Sequence, residues 1–364
     1  MNRGGRIVIV GAGPAGCACA LALGRLGYAV TLLNSERPAV WRAGEVCGPK
    51  LVQYISSTFG IALPSEAAYP LSYFHSCWGT TELAGHSYKF WSAGPAIVLN
   101  RSAFERCLLD AAKSIGVDVL DGYRASACGW DGHRWRLSGV CGDEEFELDA
   151  DFVIEAVGPR TKSIVYSDVA RLFFDDQVCL SFEADCAGLE DEGAIVESCT
   201  AGWWYACRIS FDRQIVCLFT DASLVSGLRR DQFVPEQLSL TRFIKARAQW
   251  DCAAVLRVSS ARTSARSLLW RGRWIPVGDA ALSLDPVSGT GIERAVADGV
   301  AAATAISASA DHGTDTPLRA YARQRAATFQ KALLKRRAIY QMERRWKSHP
   351  FWMTRLSGVS SNGI

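Results

Sequence analysis

The chain has 364 residues, 49% hydrophobic and 21% charged, with a formal net charge of +3. That length predicts one large or two closely joined globular domains, and so small a net charge gives no steering toward nucleic acid. Thirteen cysteines without a CxxC pair and five histidines without HxxxH spacing argue against structural zinc, while an odd number of thiols and no evident secretory leader predict a reducing, cytoplasmic setting.

Ile7 to Val10 is a short β-branched run of the kind buried in a parallel sheet. Gly11-Ala12-Gly13-Pro14-Ala15-Gly16 follows it, and then an alanine-rich helix that ends near Gly27. The uncharged stretch Ile7 to Gly24 lies between Arg6 and Arg25, but its internal glycines and Pro14 argue against a signal peptide or a membrane span. Ala29 to Leu33 reads as the next strand. The span from Tyr54 to Gly94 shows no clean helical period. Phe104 to Ile115 is an amphipathic helix and Phe152 to Ile154 a buried strand. From Val178 to Phe219, alternating runs broken at Glu190–Gly193 and Ser210–Arg213 predict an antiparallel sheet. Trp274 to Val277 returns to the first strand type, Gly291 to Ala310 is helical, and a basic helix capped at Thr316-Pro317 runs to about Trp346.

The G-x-G-x-x-G turn between strand and helix is a dinucleotide cradle. Gly11 permits the tight turn, Gly13 lets a pyrophosphate approach the backbone at the helix start formed by Pro14 and Ala15, and Gly16 lets helix and strand pack closely. The acid expected at the end of the second strand is replaced by Asn34, with Glu36 two residues on; either residue can meet a ribose hydroxyl.

A strand, Gly278-Asp279 and then Asp285-Pro286-x-x-Gly289-x-Gly291-Ile292 opening a helix resembles the flavin end of FAD monooxygenases of the p-hydroxybenzoate-hydroxylase-like fold. The resemblance implies FAD, with Asp279 on a ribityl hydroxyl and the Pro286-to-Ile292 loop against the ring system. "WRAGEVCGPKL" looks like the loop after the second strand (Arg42, Glu45, Cys47), "LNRSAFERCLL" like the Arg-x-x-Phe helix (Arg101), and "DFVIEAVGPR" like the segment near the flavin phosphates (Gly158). Val157-Gly158 stands where NADPH-dependent hydroxylases have Asp-Gly, so a separate flavin reductase is expected.

"CWGTTEL", "AGWWYACRISFDRQIVCLFTDASL" and "YQMERRWKSHPFW" resemble halogenase-like flavoproteins of the LodB, GoxB and QhpG type, which mature tryptophylquinone enzymes. True tryptophan halogenases place a catalytic lysine shortly before a tryptophan in the segment matched to "YFHSCW", where this chain has Phe74 and His75 and no lysine; Lys89 sits in a different setting. The resemblance implies an FAD-dependent monooxygenase acting on an electron-rich ring, specifically a tryptophan side chain of a partner peptide or protein. His75, Glu45 and Cys47 are the catalytic candidates, and Trp203, Trp204 and Tyr205 the pocket candidates. Two alternatives stand beside it: a geranylgeranyl-reductase-like enzyme acting on a lipid-like substrate, suggested by Cys47, and a non-catalytic assembly factor. The expected architecture is an α/β FAD-binding Rossmann-like domain (1–70, 95–165, 265–315) interrupted by an antiparallel substrate domain (71–94, 166–264), with a helical segment at 316–364. Between Leu318 and Lys347, ten Lys or Arg face one acid, Glu343. Leu318, Tyr321, Phe329, Leu333 and Tyr340 are expected to pack inward, and Arg336 and Arg337 to face an acidic partner.

Overall fold

The computed structural model describes residues 5–35, 45–87, 95–159, 162–186, 193–210, 212–251 and 254–356. Glu36, Arg42 and Lys89 lie outside the described residues, as does the side chain of Glu45. Five parallel strands form one sheet, in the order Trp274–Pro276, Phe152–Glu155, Arg6–Val10, Ala29–Asn34 and Asp118–Asp121. Alternation along the first strand sends its side chains to two different cores. Ile7 and Ile9 join the helices Pro14–Arg25 and Gly291–His312. Val8 and Val10 instead meet Trp135 and Leu137 of a three-stranded antiparallel sheet built from Tyr123 to Ala150. Both faces of the parallel sheet are thereby covered, as such sheets require.

The two helices approach until backbone meets backbone. A Cβ on Gly299 would stand 2.3 Å from the Ala15 carbonyl oxygen, and one on Gly278 2.6 Å from the Ala15 methyl group. Only glycine fits at either place. Asp298, 1% exposed, locks the junction: its carboxylate accepts from the Gly278 amide (2.6 Å), the Tyr321 hydroxyl (2.9 Å) and the Arg325 guanidinium (2.9 Å).

A seven-stranded sheet forms the second body, in the order Arg257–Ser260, Gln177–Asp185, Arg213–Asp221, Gly202–Arg208, Ala194–Cys199, Tyr73–Cys77, Ala84–Ser87. Its pairs are antiparallel except the one between Ala194–Cys199 and Tyr73–Cys77. Helices Arg230–Ser239 and Ile244–Arg247 cover one face, and Tyr340, Phe351 and Trp352 of the C-terminal helices cover the other. Buried Glu197 terminates the first covering by accepting from the amides of Arg242, Phe243 and Ile244 at 2.6–2.9 Å.

Two sequence expectations shift. Lys50–Phe59 is a helix, with Leu51, Ile55 and Phe59 buried one turn apart. The Ile-Ser-Ser-Thr run in its second half has low helix propensity and masks that stripe. The basic helix spans Thr316–Met342, with Asp315 at its N-cap, so it stops four residues before Trp346. No helix among the described residues is long and apolar enough to cross a membrane.

Gly299→Ala is expected to destabilise the fold by about 1–3 kcal/mol, the usual cost of forcing a methyl group into a filled core. Thermal unfolding of the purified protein checks it. A mutant that melts with the wild type would show that the two helices are not in backbone contact.

Candidate functional site

A cleft of about 430 Å³ opens at the carboxyl ends of the parallel strands, where doubly covered α/β sheets receive ligands. Its floor is Gly11, Gly13, Pro14 and Ala15, one wall carries Asn34 and Arg101, and the far wall carries Gly158, Asp279, Gly291 and Ile292. Segments far apart in the chain therefore meet around a single space.

The glycine turn has the geometry a dinucleotide needs. Gly11 has φ +110°, and a Cβ there would lie 2.5 Å from the Ala156 carbonyl oxygen. A Cβ on Gly16 would fall 2.0 Å from the Gly11 carbonyl oxygen, so glycine is what lets the helix start so close to the strand. At Gly13 and Gly291 the Cβ direction is open. Neither helix start, Gly13 nor Thr290, takes a side-chain cap, so the first-turn amides point at the cleft with their donors and positive dipole available to an anion or carbonyl.

Each polar wall residue is held from behind. Arg101, first residue of the helix Arg101–Ser114, pairs with Glu105 at 2.6 Å. Asn34 donates to Asp121 (2.8 Å), which also pairs with Lys113 (2.9 Å). Those two hydrogen bonds, the Lys113 bond first, hold the Asp121 carboxyl below its ordinary value. Arg106 and Arg124 line the cleft as well and have no ion-pair partner among the described residues. Their place in the lining depends on helix phase and sheet register, which the sequence motifs did not reveal.

The Gly-Asp turn rests on buried charge. Arg171 donates to the carbonyls of Asp279 (2.7 Å) and Ala280 (2.9 Å), and Arg266 donates to Ala280 (3.3 Å). Arg266 pairs with Glu155 at 3.2 Å, both side chains fully buried, and Glu155 also accepts from Trp274 (3.2 Å) and Ser163 (2.6 Å). Burial, then the neighbouring Arg266 charge, pulls the Arg171 pKa down to about 10, which leaves it a cation at neutral pH. The Asp279 side chain, 43% exposed, pairs with Arg294 at 2.6 Å.

Pro286 and Gly289 (φ +60°) shape the loop into the helix Gly291–His312 without lining the cleft. That loop is gripped by the C-terminal helix. Arg336, 8% exposed, donates to Asp285 (2.7 Å) and Asp175 (2.8 Å). Burial first and the Asp285 carboxylate second push the Tyr340 hydroxyl up, so it stays protonated and donates to Asp285 at 3.0 Å. Arg336 thus faces inward, contrary to its expected place on a docking surface, while Arg337 is exposed. Leu318, Tyr321, Phe329 and Tyr340 pack inward as expected, and Leu333 is half-buried.

Two of the catalytic candidates, Cys47 and His75, fall elsewhere. Cys47 is 2% exposed in the helical core, and the Gly48 amide beside it donates to Glu293 in the first turn of Gly291–His312 at 2.8 Å. His75 lies in the seven-stranded sheet, opposite Ile195 and Gly85, with its ring stacked on Tyr73. Neither lines the cleft. Trp204 is fully buried beneath the helices Arg230–Ser239 and Ile244–Arg247, so it is core and not pocket. Trp203, 3% exposed on the other face, stacks on Phe219 at 3.9 Å and donates to Tyr340 at 3.0 Å, which makes it a seat for the C-terminal helix. Tyr205 shares that face and is half-buried.

Residues 6–171 match the FAD binding domain family. Over 96% of each chain the protein is 27% identical to the putative FAD-dependent oxidoreductase LodB of Marinomonas mediterranea. Among solved structures it is similar to QhpG, described as a peptidyl tryptophan dihydroxylase essential for tryptophylquinone cofactor biogenesis, with 26% identity, a TM-score of 0.79, and coverage of 97% of this chain and 78% of that one. The flavin-dependent halogenase CmlS (21% identity, TM-score 0.81, 98% and 68% covered) shares the fold. So does the p-nitrophenol 4-monooxygenase PnpA of Pseudomonas putida (18%, 0.72, 97% and 88%). The chain is an FAD-dependent oxidoreductase whose residues 6–171 match the FAD binding domain family.

Proposed function

We propose that the protein is a monooxygenase that hydroxylates a tryptophan side chain carried by a peptide or protein, with the glycine-floored cleft as its flavin site. The observation that carries this reading is the likeness to QhpG along 97% of the chain, which exceeds in identity the likeness to the halogenases of the same fold. The segment "YFHSCW" holds Phe74 and His75 and no lysine, unlike its counterpart in true tryptophan halogenases, which supports oxygen transfer over halogen transfer. Cys47, the residue that suggested a lipid reductase, is packed in the domain core and lends that alternative no support.

In this reading the amides of Ala15 and Gly16 receive the FAD diphosphate, with Gly11 and Gly13 admitting it to the backbone and Arg101 facing it across the cleft. Asn34 meets the adenosine ribose. With Oδ1 committed to Arg294, Asp279 offers Oδ2 to a ribityl hydroxyl. The amides of Gly291 and Ile292, at a helix start, face the carbonyl edge of the ring and favour negative charge there. Bound FAD, once reduced by a separate reductase, supplies the activation of oxygen. The chain's own part is to fix the substrate ring in line and keep water away.

Two outcomes are expected. Asp279→Ala should weaken FAD retention by about 1–3 kcal/mol through a lost hydrogen bond, read by equilibrium dialysis of the folded mutant; wild-type affinity would remove Asp279 from the site. After anaerobic photoreduction, mixing with isotopic O2 and a tryptophan peptide should give a product labelled with oxygen from O2, by mass spectrometry. A chlorinated or brominated product in halide buffer would assign halogenation instead.

A further inference from the structure

The helix Thr316–Met342 has 27 residues and not one Asp or Glu. Its seven cations divide by helical phase. Arg325 and Arg336 turn inward onto Asp298, Asp285 and Asp175. Arg319 lies over the Trp270 ring at 5.2 Å. Arg323, Lys331, Lys335 and Arg337 are exposed, and among the described residues none of the four makes an ion pair. At about 100° per residue these four lie on the side opposite Leu318, Phe329, Arg336 and Tyr340. Leu334 (69% exposed) and Met342 (60% exposed) sit among them on the same outer face.

A solvated helix ordinarily intersperses acids one turn from its cations, and each such pair stabilises it. This face has none, so its positive potential is answered only by solvent. It also borders the site. Lys335 lines a small cavity between the helix and the loop at Asp285 to Thr290, which leads into the flavin-facing helix start. No aromatic ring on the outer face offers a platform for a nucleic acid base. Two exposed apolar side chains bury too little area to hold a lipid surface. An acidic polypeptide matches both the charge and the modest apolar content.

Building on the reading of a polypeptide-borne substrate, we propose that the outer face of Thr316–Met342 docks an acidic segment of the protein or peptide that carries the reacting ring. Docking sets encounter and affinity; the chemistry belongs to the cleft.

The test compares the FAD-loaded full chain with its K331E/K335E/R337E variant. The probes are a labelled tryptophan peptide with an Asp/Glu-rich flank, its Asn/Gln isosteric copy, and phosphatidylcholine vesicles containing phosphatidylserine. At low salt the wild type should bind the acidic peptide about tenfold more tightly than the neutral copy, and the preference should vanish at high salt and in the variant. FAD content and melting temperature should not change. Should the variant melt lower, K331Q/K335Q/R337Q is expected to show a smaller loss of the same preference. Equal binding of the two peptides by the wild type overturns the proposal. So does undiminished affinity in a folded variant, or retention of the vesicles alone. Binding is read without turnover, so the two readings fail separately: an acidic peptide that docks and is not oxygenated defeats tryptophan hydroxylation and leaves the docking face standing. Oxygenation of both peptides with the same KM defeats docking alone.

Discussion

Four absent side chains make the cleft. Gly11, Gly16, Gly278 and Gly299 each occupy a place where a Cβ would stand 2.0–2.6 Å from another atom, and in three of the four that atom is a backbone oxygen. Because no side chain intervenes, the first strand, the helix after it, the Gly-Asp turn and the long helix Gly291–His312 converge on one point. Two helix starts thereby face one space, one from its floor and one from its far wall, an arrangement that suits a ligand with a charged middle and a carbonyl-bearing end. Any Cβ at these positions would force the walls apart.

The same convergence buries charge, which must then be paired. Asp298 is fully used by Gly278, Tyr321 and Arg325, and Glu155 by Arg266, Trp274 and Ser163. Removing one member of such a group costs about 3–5 kcal/mol because the partner stays buried and uncompensated. A second network does for the loop at Asp285 what the first does for the Gly-Asp turn. Arg336 and Tyr340 hold Asp285, and Arg355 ties Gln177 (2.6 Å) to a bidentate pair with Asp221 (2.6 and 2.9 Å). The C-terminal helices therefore brace the loop that leads into the cleft and the seven-stranded sheet at once.

The sequence made legible whatever rests on local stereochemistry. The glycine turn, the Gly-Asp turn and the helix starts at Pro14 and Gly291 follow from which residues tolerate a tight backbone, and they stand where the motifs put them. Side-chain direction was less legible. Arg336 and Arg337 are the same residue type in the same helix, yet one is enclosed by two carboxylates and its neighbour is exposed, a difference of helical phase alone. Trp203 and Trp204 likewise part to opposite faces of one strand, which assigns one to the seat of the C-terminal helix and the other to the core beneath two short helices. Arg106, Arg124 and Asp298 carried no motif. Tyr321 and Arg325 stand one turn apart and share Asp298, a partner on another helix that only the tertiary packing supplies.

The cleft joins segments far apart in the chain: 266 positions separate Gly13 from Asp279. During synthesis the glycine turn leaves the ribosome long before the opposing wall exists, so no intermediate chain can possess a complete cleft. Until then the helical core lacks Ile275, Ile292, Val296 and Ile306, and its apolar surface stays open to solvent. Capture of a ligand by this cleft therefore joins segments made early and late in synthesis. A ligand held between such distant segments favours the folded state in proportion to the logarithm of its free concentration. The supply of flavin in the cell thereby helps set how much of the protein persists folded.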